Sequence, residues 1–331
     1  MRTRALPAIF TTLLAGALLP SGAGAAGGPV MPIGTSGAYH AGLEDPSGDA
    51  TYYTLAANGE TTALRVSDTP DRGGRTLNAH YYNGNLFIPT VAIDGTTAGI
   101  SEDGGTLVLI KLRRRFPEPQ TKFRLLSPRT LRPIRTIVLR GDFVFDSISP
   151  DGDTLYLVHY VDPADPNVYE VRAYDVEARR LLPDPIIDTR LAPQVMRGMA
   201  MTRASSPDGA WAYTLYDGGG GHHAEPFVHA LDTENARALC IDLPMLADLA
   251  FGRLRDVRLA PSEDGATIGV LDGEGAAIAT IETGSWEVTE GAPQPAEADA
   301  AGIGALPFVA AGGALLVALL VVGGATRRAG R

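Results

Sequence analysis

The amino-acid sequence predicts an all-β fold assembled from a repeated four-stranded unit, followed by one C-terminal transmembrane helix. Three observations carry that prediction. A tight-turn motif recurs as SEDGGTLVLI at Ser101, SPDGDTLYLV at Ser149, SPDGAWAYTLYD at Ser206 and SEDGATIGVLD at Ser262, with a weaker copy, PSGDATYYTLA, at Pro46. The motif glycines, Gly48, Gly104, Gly152, Gly209 and Gly265, are separated by 56, 48, 57 and 56 residues. Each motif runs straight into β-branched, aromatic and aliphatic residues, and no interior window shows capped 3.6-residue periodicity. Short antiparallel strands, four to such a unit, are the pattern of a β-propeller blade, here about five to seven of them.

Each element of the unit follows from its residues. In the turn, proline presets φ, an acidic side chain bonds its own backbone, and glycine accepts positive φ without strain. Thr154-Leu155-Tyr156-Leu157-Val158, directly after the turn at Ser149, has strand composition. Apolar runs also precede the turns, as GDFVFDSI before Ser149, RGMAMTRA before Ser205 and LRDVRLA before Pro261, so the unit begins strand, turn, strand. A third and a fourth strand are read in YEVRAYDVEARRLLPDPII (Tyr169 to Ile187), separated by a turn over Asp175 to Ala178. PFVHALDTENARALCIDL (Pro226 to Leu243) repeats the design around Asp232-Thr233-Glu234-Asn235, and AAIATIETGSWEVTE (Ala276 to Glu290) repeats it around Thr283-Gly284. Five turns predict five blades, and the stretch from Asp71 to Asp94 has room for a sixth. A β-sandwich also contains many short strands, but it does not repeat one turn at near-constant spacing.

On these residues the chain resembles the YVTN and WD40-like family of exported bacterial β-propellers. The resemblance rests on the SPDG-type turn, the TLYLV strand after it and the following RAYDVEARRLL or HALDTENARAL segment, and it covers roughly Gly34 to Glu290. The blades lack a Trp-Asp ending, the first repeat is degraded, and RRRFPEPQ and YDGGGGHHAEP stand as insertions, the latter between a blade's second and third strands. What the resemblance implies is a fold. Propellers host binding proteins, lactonases and cofactor enzymes alike.

The two ends predict export and anchoring. Arg2 and Arg4 precede an apolar run from Ala5 to Leu19, and Ala23-Gly24-Ala25 offers a small-x-small cleavage site, so residues 1–25 read as a signal peptide. The repeat region then occupies 26–289, and a Pro/Ala-rich linker occupies 290–302. Residues 303–326 carry no charge and are long enough to span a bilayer. Arg327, Arg328 and Arg331 form a basic tail, 327–331, of the kind retained on the cytoplasmic side. The expected location is the cell membrane, in single-pass form, with the N-terminal domain outside. The lone cysteine, Cys240, is too far from the signal for lipid attachment, and Leu306-Pro307-Phe308-Val309-Ala310 does not complete a sortase motif.

Composition narrows the partners. Five of the 28 basic residues lie in the signal or the tail, which leaves 23 against 38 acidic residues in the exported part. Such a surface repels nucleic acid, so none is expected as a partner. One cysteine excludes an internal disulfide, and its apolar surroundings predict an inert thiol. Only Lys111 and Lys122 are lysines; with the abundant Ala, Gly and Pro this is the coding bias of a GC-rich bacterium.

Two clusters are candidate sites. His222, His223, Glu225 and His229 are metal-ligating types in one segment. Against that reading, four glycines hold no rigid shell, adjacent residues of a strand project to opposite sides, and His229 has the parity of Phe227 and Leu231. Lys111, Arg113 and Arg115 form the one basic cluster of an acidic domain. In a strand they would share a face and fit phosphate or a polyanion such as a wall polymer; a solvated edge strand would carry the same charges. Asp151, Asp208 and Asp264 recur within turns but lack the calcium-loop pattern. No nucleophile elbow, P-loop, G-x-G-x-x-G or H-E-x-x-H occurs, and no cofactor is expected. These residues predict a membrane-anchored extracytoplasmic module that binds an envelope protein or polymer. A lactonase-like hydrolase with its site at the central channel and a metal-binding sensor are the alternatives.

Overall fold

Turn and strand alternate throughout the computed structural model, which describes residues 42–191, 196–218 and 224–291. Blade 1 comprises β1 (Leu43–Glu44), β2 (Ala50–Ala57), β3 (Glu60–Ser67) and β4 (Thr76–Asn83). In blade 2 the strands are β5 (Leu86–Phe87), β6 (Leu107–Lys111), β7 (Gln120–Leu126) and β8 (Pro133–Arg140). Blade 3 holds β9 (Asp142–Ile148), β10 (Thr154–Tyr160), β11 (Tyr169–Asp175) and β12 (Arg180–Ile186). Blade 4 follows with β13 (Ala200–Ser205), β14 (Trp211–Tyr216), β15 (Phe227–Asp232) and β16 (Arg237–Asp242). Blade 5 ends the series with β17 (Arg258–Pro261), β18 (Thr267–Leu271), β19 (Ala277–Glu282) and β20 (Val288–Glu290). Each sheet is antiparallel and keeps its four strands in chain order. The only helices among the described residues are a 3-10 turn at Pro244–Leu246 and an α-helix at Phe251–Leu254.

The described residues thus form five four-stranded sheets. Asp71 to Asp94 makes no sixth: it supplies the outer strand β4 of blade 1 and the short β5 of blade 2. The expected signal peptide, the transmembrane segment, the tail and almost all of the linker lie outside the described residues, as do residues 26–41. Among the described residues no helix is long and apolar enough to cross a membrane.

The recurring motif folds alike in blades 2 to 5. In blade 3, Ser149 Oγ donates to Asp151 Oδ1 at 2.6 Å, Thr154 N donates to Ser149 Oγ at 2.9 Å, and Gly152 takes φ +78°. Ser101, Ser206 and Ser262 make the same pair of bonds, to Asp103, Asp208 and Asp264 and from Thr106, Trp211 and Thr267. The weak first copy has no serine in that place. Asp45 stands there instead and accepts from Ser47 N and Oγ, so the bond runs in the opposite direction.

These bonds set an acid limit on stability. The serine hydroxyl and a backbone N–H hold the carboxyls of Asp151, Asp208 and Asp264 below their ordinary value of 3.8. A lowered folded-state pKa contributes stability that is present above the unfolded value and lost as pH falls through the folded one. The urea midpoint is therefore expected to fall between about pH 5 and pH 2, and an Asp151→Asn/Asp208→Asn/Asp264→Asn variant to show a flatter acid limb. An unchanged limb would assign acid sensitivity to other carboxylates.

Apolar burial lies between consecutive blades. Leu43, Tyr52 and Tyr82 of blade 1 pack with Leu107, Leu109 and Leu126 of blade 2. Phe123 and Leu125 of blade 2 pack with Phe143, Phe145 and Leu157 of blade 3. Tyr156, Val171 and Ala173 of blade 3 meet Ala212, Leu231 and Ala238 of blade 4. Leu215, Val228 and Ala230 of blade 4 meet Ile268, Val270 and Ile281 of blade 5. A sheet buried on both faces needs apolar residues without alternation, and β15 is buried along its whole length. Tyr156 adds a polar link from blade to blade, its hydroxyl donating to Thr233 O at 2.9 Å.

One connection departs from the repeat. Residues 88–106 separate β5 from β6, and within them Ile93 N donates to Ala200 O at 3.0 Å and Asp94 N to Met201 O at 3.3 Å. The connection of blade 2 thereby pairs with the first strand of blade 4.

Candidate functional site

The basic cluster folds into a pocket beside blade 2. β6 is buried from Leu107 to Ile110 and ends at the exposed Lys111. The last paired residues of the β6–β7 hairpin are Ile110 and Phe123, so Lys111 and Lys122 stand opposite each other one step beyond, at its loop end. Like charges placed across a ladder destabilise it, and this is where both lysines of the chain stand.

The expectation that Lys111, Arg113 and Arg115 share a strand face is not met, because the strand stops at Lys111. Arg113 turns inward instead. Its side chain is 5% exposed and pairs with Asp142, itself 2% exposed, at the start of β9. The guanidinium lies 4.5 Å from the Tyr160 ring centroid and 5.0 Å from that of Phe116. Glu118 N donates to Asp142 Oδ2 at 2.7 Å. Burial pushes the Asp142 carboxyl pKa upward, against the pull of Arg113 and the Glu118 N–H. Arg113 therefore anchors the loop, and its charge is committed to Asp142.

The loop is fixed from within as well. Glu118 Oε1 accepts from Arg114 N at 2.7 Å and from Arg115 N at 3.2 Å. Two bonds bind the loop's far end to blade 3: Thr121 Oγ1 donates to Gly141 O at 3.0 Å and accepts from Phe143 N at 2.9 Å. Between them these contacts hold Lys111, Arg114, Arg115 and Lys122 around a pocket of about 430 Å³, with Arg113 and Asp142 in its wall. Arg115 approaches Glu118 only at 3.9 Å and is 67% exposed, so its charge is available to solvent.

The chemistry of this lining is capture of an anion. Lysine and arginine donors converge on it, Arg113 is neutralised by Asp142, and no histidine, cysteine or serine lines it. Lys122, Arg114 and Asp142 were missed by sequence reasoning. The signal for Lys122 was its rarity; for Asp142 there was none, since only the stacking of blade 3 on blade 2 brings it to Arg113.

Of the four metal-ligating types, Glu225 and His229 lie within the described residues. His222 and His223 lie outside the described residues. Glu225 is exposed just before Pro226, whereas His229 is 2% exposed inside β15, opposite Thr214 and Cys240. Among the described residues no three His, Cys, Asp or Glu side chains are placed to hold a metal ion. Cys240 is half-buried, and burial pushes its thiol up to about 12, so thiolate chemistry at neutral pH is closed to it.

At the mouth where the turns of blades 1, 2 and 4 gather, Glu44, Asp45, Glu102 and Arg203 line a space of about 400 Å³. Two of these groups are engaged elsewhere. Asp45 accepts from Ser47 and Tyr52, and Arg203 donates to Asp146 Oδ1 at 2.6 Å. A nucleophile hydrogen-bonded to a base is not formed there among the described residues.

No protein-family model matches the chain, and neither does any curated protein. Several solved structures are similar to it. TolB from Acinetobacter baumannii aligns at 16% identity over 73% of this chain and 52% of its own, with a TM-score of 0.37. BamB from Moraxella catarrhalis aligns at 14% identity over 72% and 57%, with a TM-score of 0.41. The β-propeller domain of Cps50 (Swd1) from Myceliophteria thermophila aligns at 12% identity over 75% and 66%, with a TM-score of 0.41. This chain spans from about half to two thirds of the length of these proteins. At such identities the likeness concerns architecture and carries no activity with it.

Proposed function

We propose that this chain is an exported, membrane-tethered β-propeller that serves the cell envelope as a non-enzymatic binding module. Its blade 2 pocket takes an anionic group, phosphate or carboxylate, borne by an envelope protein or polymer. The observation that carries the reading is the convergence of both lysines with Arg114 and Arg115 on one pocket of an acidic chain, where Asp142 is paired with Arg113 and Glu118 accepts from the loop's own backbone. The apolar segment 303–326 and its basic tail support the tether, and residues 1–25 support export.

Titration of the full chain in detergent with inorganic polyphosphate tests the pocket. Saturable binding that weakens with added salt is expected, since exposed charges are screened. Lys111→Glu/Lys122→Glu removes two attractions and adds two repulsions, and should weaken binding about 10- to 100-fold. Equal affinity of that variant and the parent would refute the reading. The orientation has its own test: protease added to intact cells should digest the blades, and protection of them would place the domain on the wrong side.

A further inference from the structure

Both tryptophans of the chain meet in a groove between the turns of blades 4 and 5, far in sequence from the basic loop. Trp211 opens β14, and Trp286 lies in the turn from β19 to β20. Their ring centroids are 5.0 Å apart with 51° between the planes. Tyr213 stacks on Trp211 at 6.4 Å and stands 6.5 Å from Trp286. The groove encloses about 360 Å³, and Asp208, Glu263 and Asp264 complete its charged lining, which includes no basic residue.

Both tryptophans pack in part against the core between blades 4 and 5 and also line the groove. Trp286 has φ +61°, a left-handed conformation that costs a bulky residue on the order of 1 kcal/mol or more. The matching turns of blades 2, 3 and 4 place Leu131, Arg179 and Ala236 in the same conformation, so the geometry belongs to the framework. Its occupant differs. Leu131 is fully buried, whereas Trp286, like Trp211, is only partly buried and turns the rest of its ring surface to the groove.

The charges select among ligands. A sugar would stack on the same rings, but its hydroxyls need donors as well as acceptors, and the charged groups here only accept. A cation satisfies both parts of the lining, because aromatic faces and carboxylates attract it together. The ring of Trp211 already carries one, the Arg237 guanidinium, 5.9 Å from its centroid. Asp208 and Asp264 each spend Oδ1 on their own turn, and those bonds keep both carboxyls ionised at neutral pH.

We infer that the groove between Trp211 and Trp286 is a second binding site, for an alkylammonium group, either in a small quaternary ammonium compound or on a lysine side chain of a protein partner. It is independent of the anion pocket and stands whether or not that pocket binds polyphosphate.

Because Trp211 and Trp286 are the only tryptophans, the entire indole fluorescence of the full chain in detergent reports on the groove. The titrants are choline, its uncharged isostere 3,3-dimethylbutan-1-ol, a lysine-rich peptide and cellobiose. A saturable change with choline or with the peptide, and none with the isostere or cellobiose, is expected. Choline alone would assign a free ammonium ligand, the peptide alone a protein partner. Glu263→Gln, at an exposed position, and Trp286→Phe should each weaken binding about 3- to 10-fold while the circular dichroism spectrum stays that of the parent. Equal response to choline and its isostere, a response to cellobiose only, or none to any titrant would overturn the assignment.

Discussion

Asp142→Ala is expected to destabilise the protein by about 3–5 kcal/mol, because it removes the carboxylate paired with the buried Arg113 guanidinium. In a domain of this size that corresponds to a melting temperature lower by roughly 6–20 °C. The loss comes from the buried ion deprived of that carboxylate and the Glu118 N–H deprived of the same acceptor; the net worth of the pair is much smaller. Arg113→Met/Asp142→Leu, which fills the same space with apolar groups, should therefore recover most of the stability. Thermal unfolding of both variants decides the matter. A loss below about 1 kcal/mol for the single substitution would mean that the pair is wetter than its burial indicates.

Arg203→Met should cost a comparable 3–5 kcal/mol or so, at the contact of blades 3 and 4. Arg203 on β13 donates from one nitrogen to both Asp146 O, at 2.7 Å, and Asp146 Oδ1, at 2.6 Å, on β9. Both side chains are buried, and Asp146 Oδ2 has no partner, so nothing else balances that carboxylate once the arginine is gone. Blades 3 and 4 share the Tyr160, Tyr169 and Tyr216 cluster just behind the pair. Hydrogen exchange should accordingly quicken first in β9 and β13. Uniform acceleration in all blades, or urea stability equal to the parent, would show that the ion pair does not hold this contact.

The framework was legible because it is written several times. Ser149, Asp151 and Gly152 specify one turn by local chemistry alone, and three further copies with the weaker one at Pro46 place the remaining four blades without any long-range information. Parity served equally well for His229, whose period with Phe227 and Leu231 put it in a buried strand. The pocket was only half legible. Lys111, Arg113 and Arg115 stand out as charges, but extending the strand through them misplaced Arg113, whose partner lies in the next blade. Contacts between blades leave no local pattern. For the same reason the pairing of Ile93 and Asp94 with blade 4, and the approach of Trp286 to Trp211, were invisible until the sheets were stacked.

The most direct test of the account is hydrogen exchange of the full chain with and without polyphosphate, resolved along the sequence. The anion pocket predicts slower exchange confined to 111–122 and to the facing segment 142–144. Protection located elsewhere, at the mouth lined by Glu102 and Arg203 for example, or no protection at a concentration that saturates binding, would contradict it.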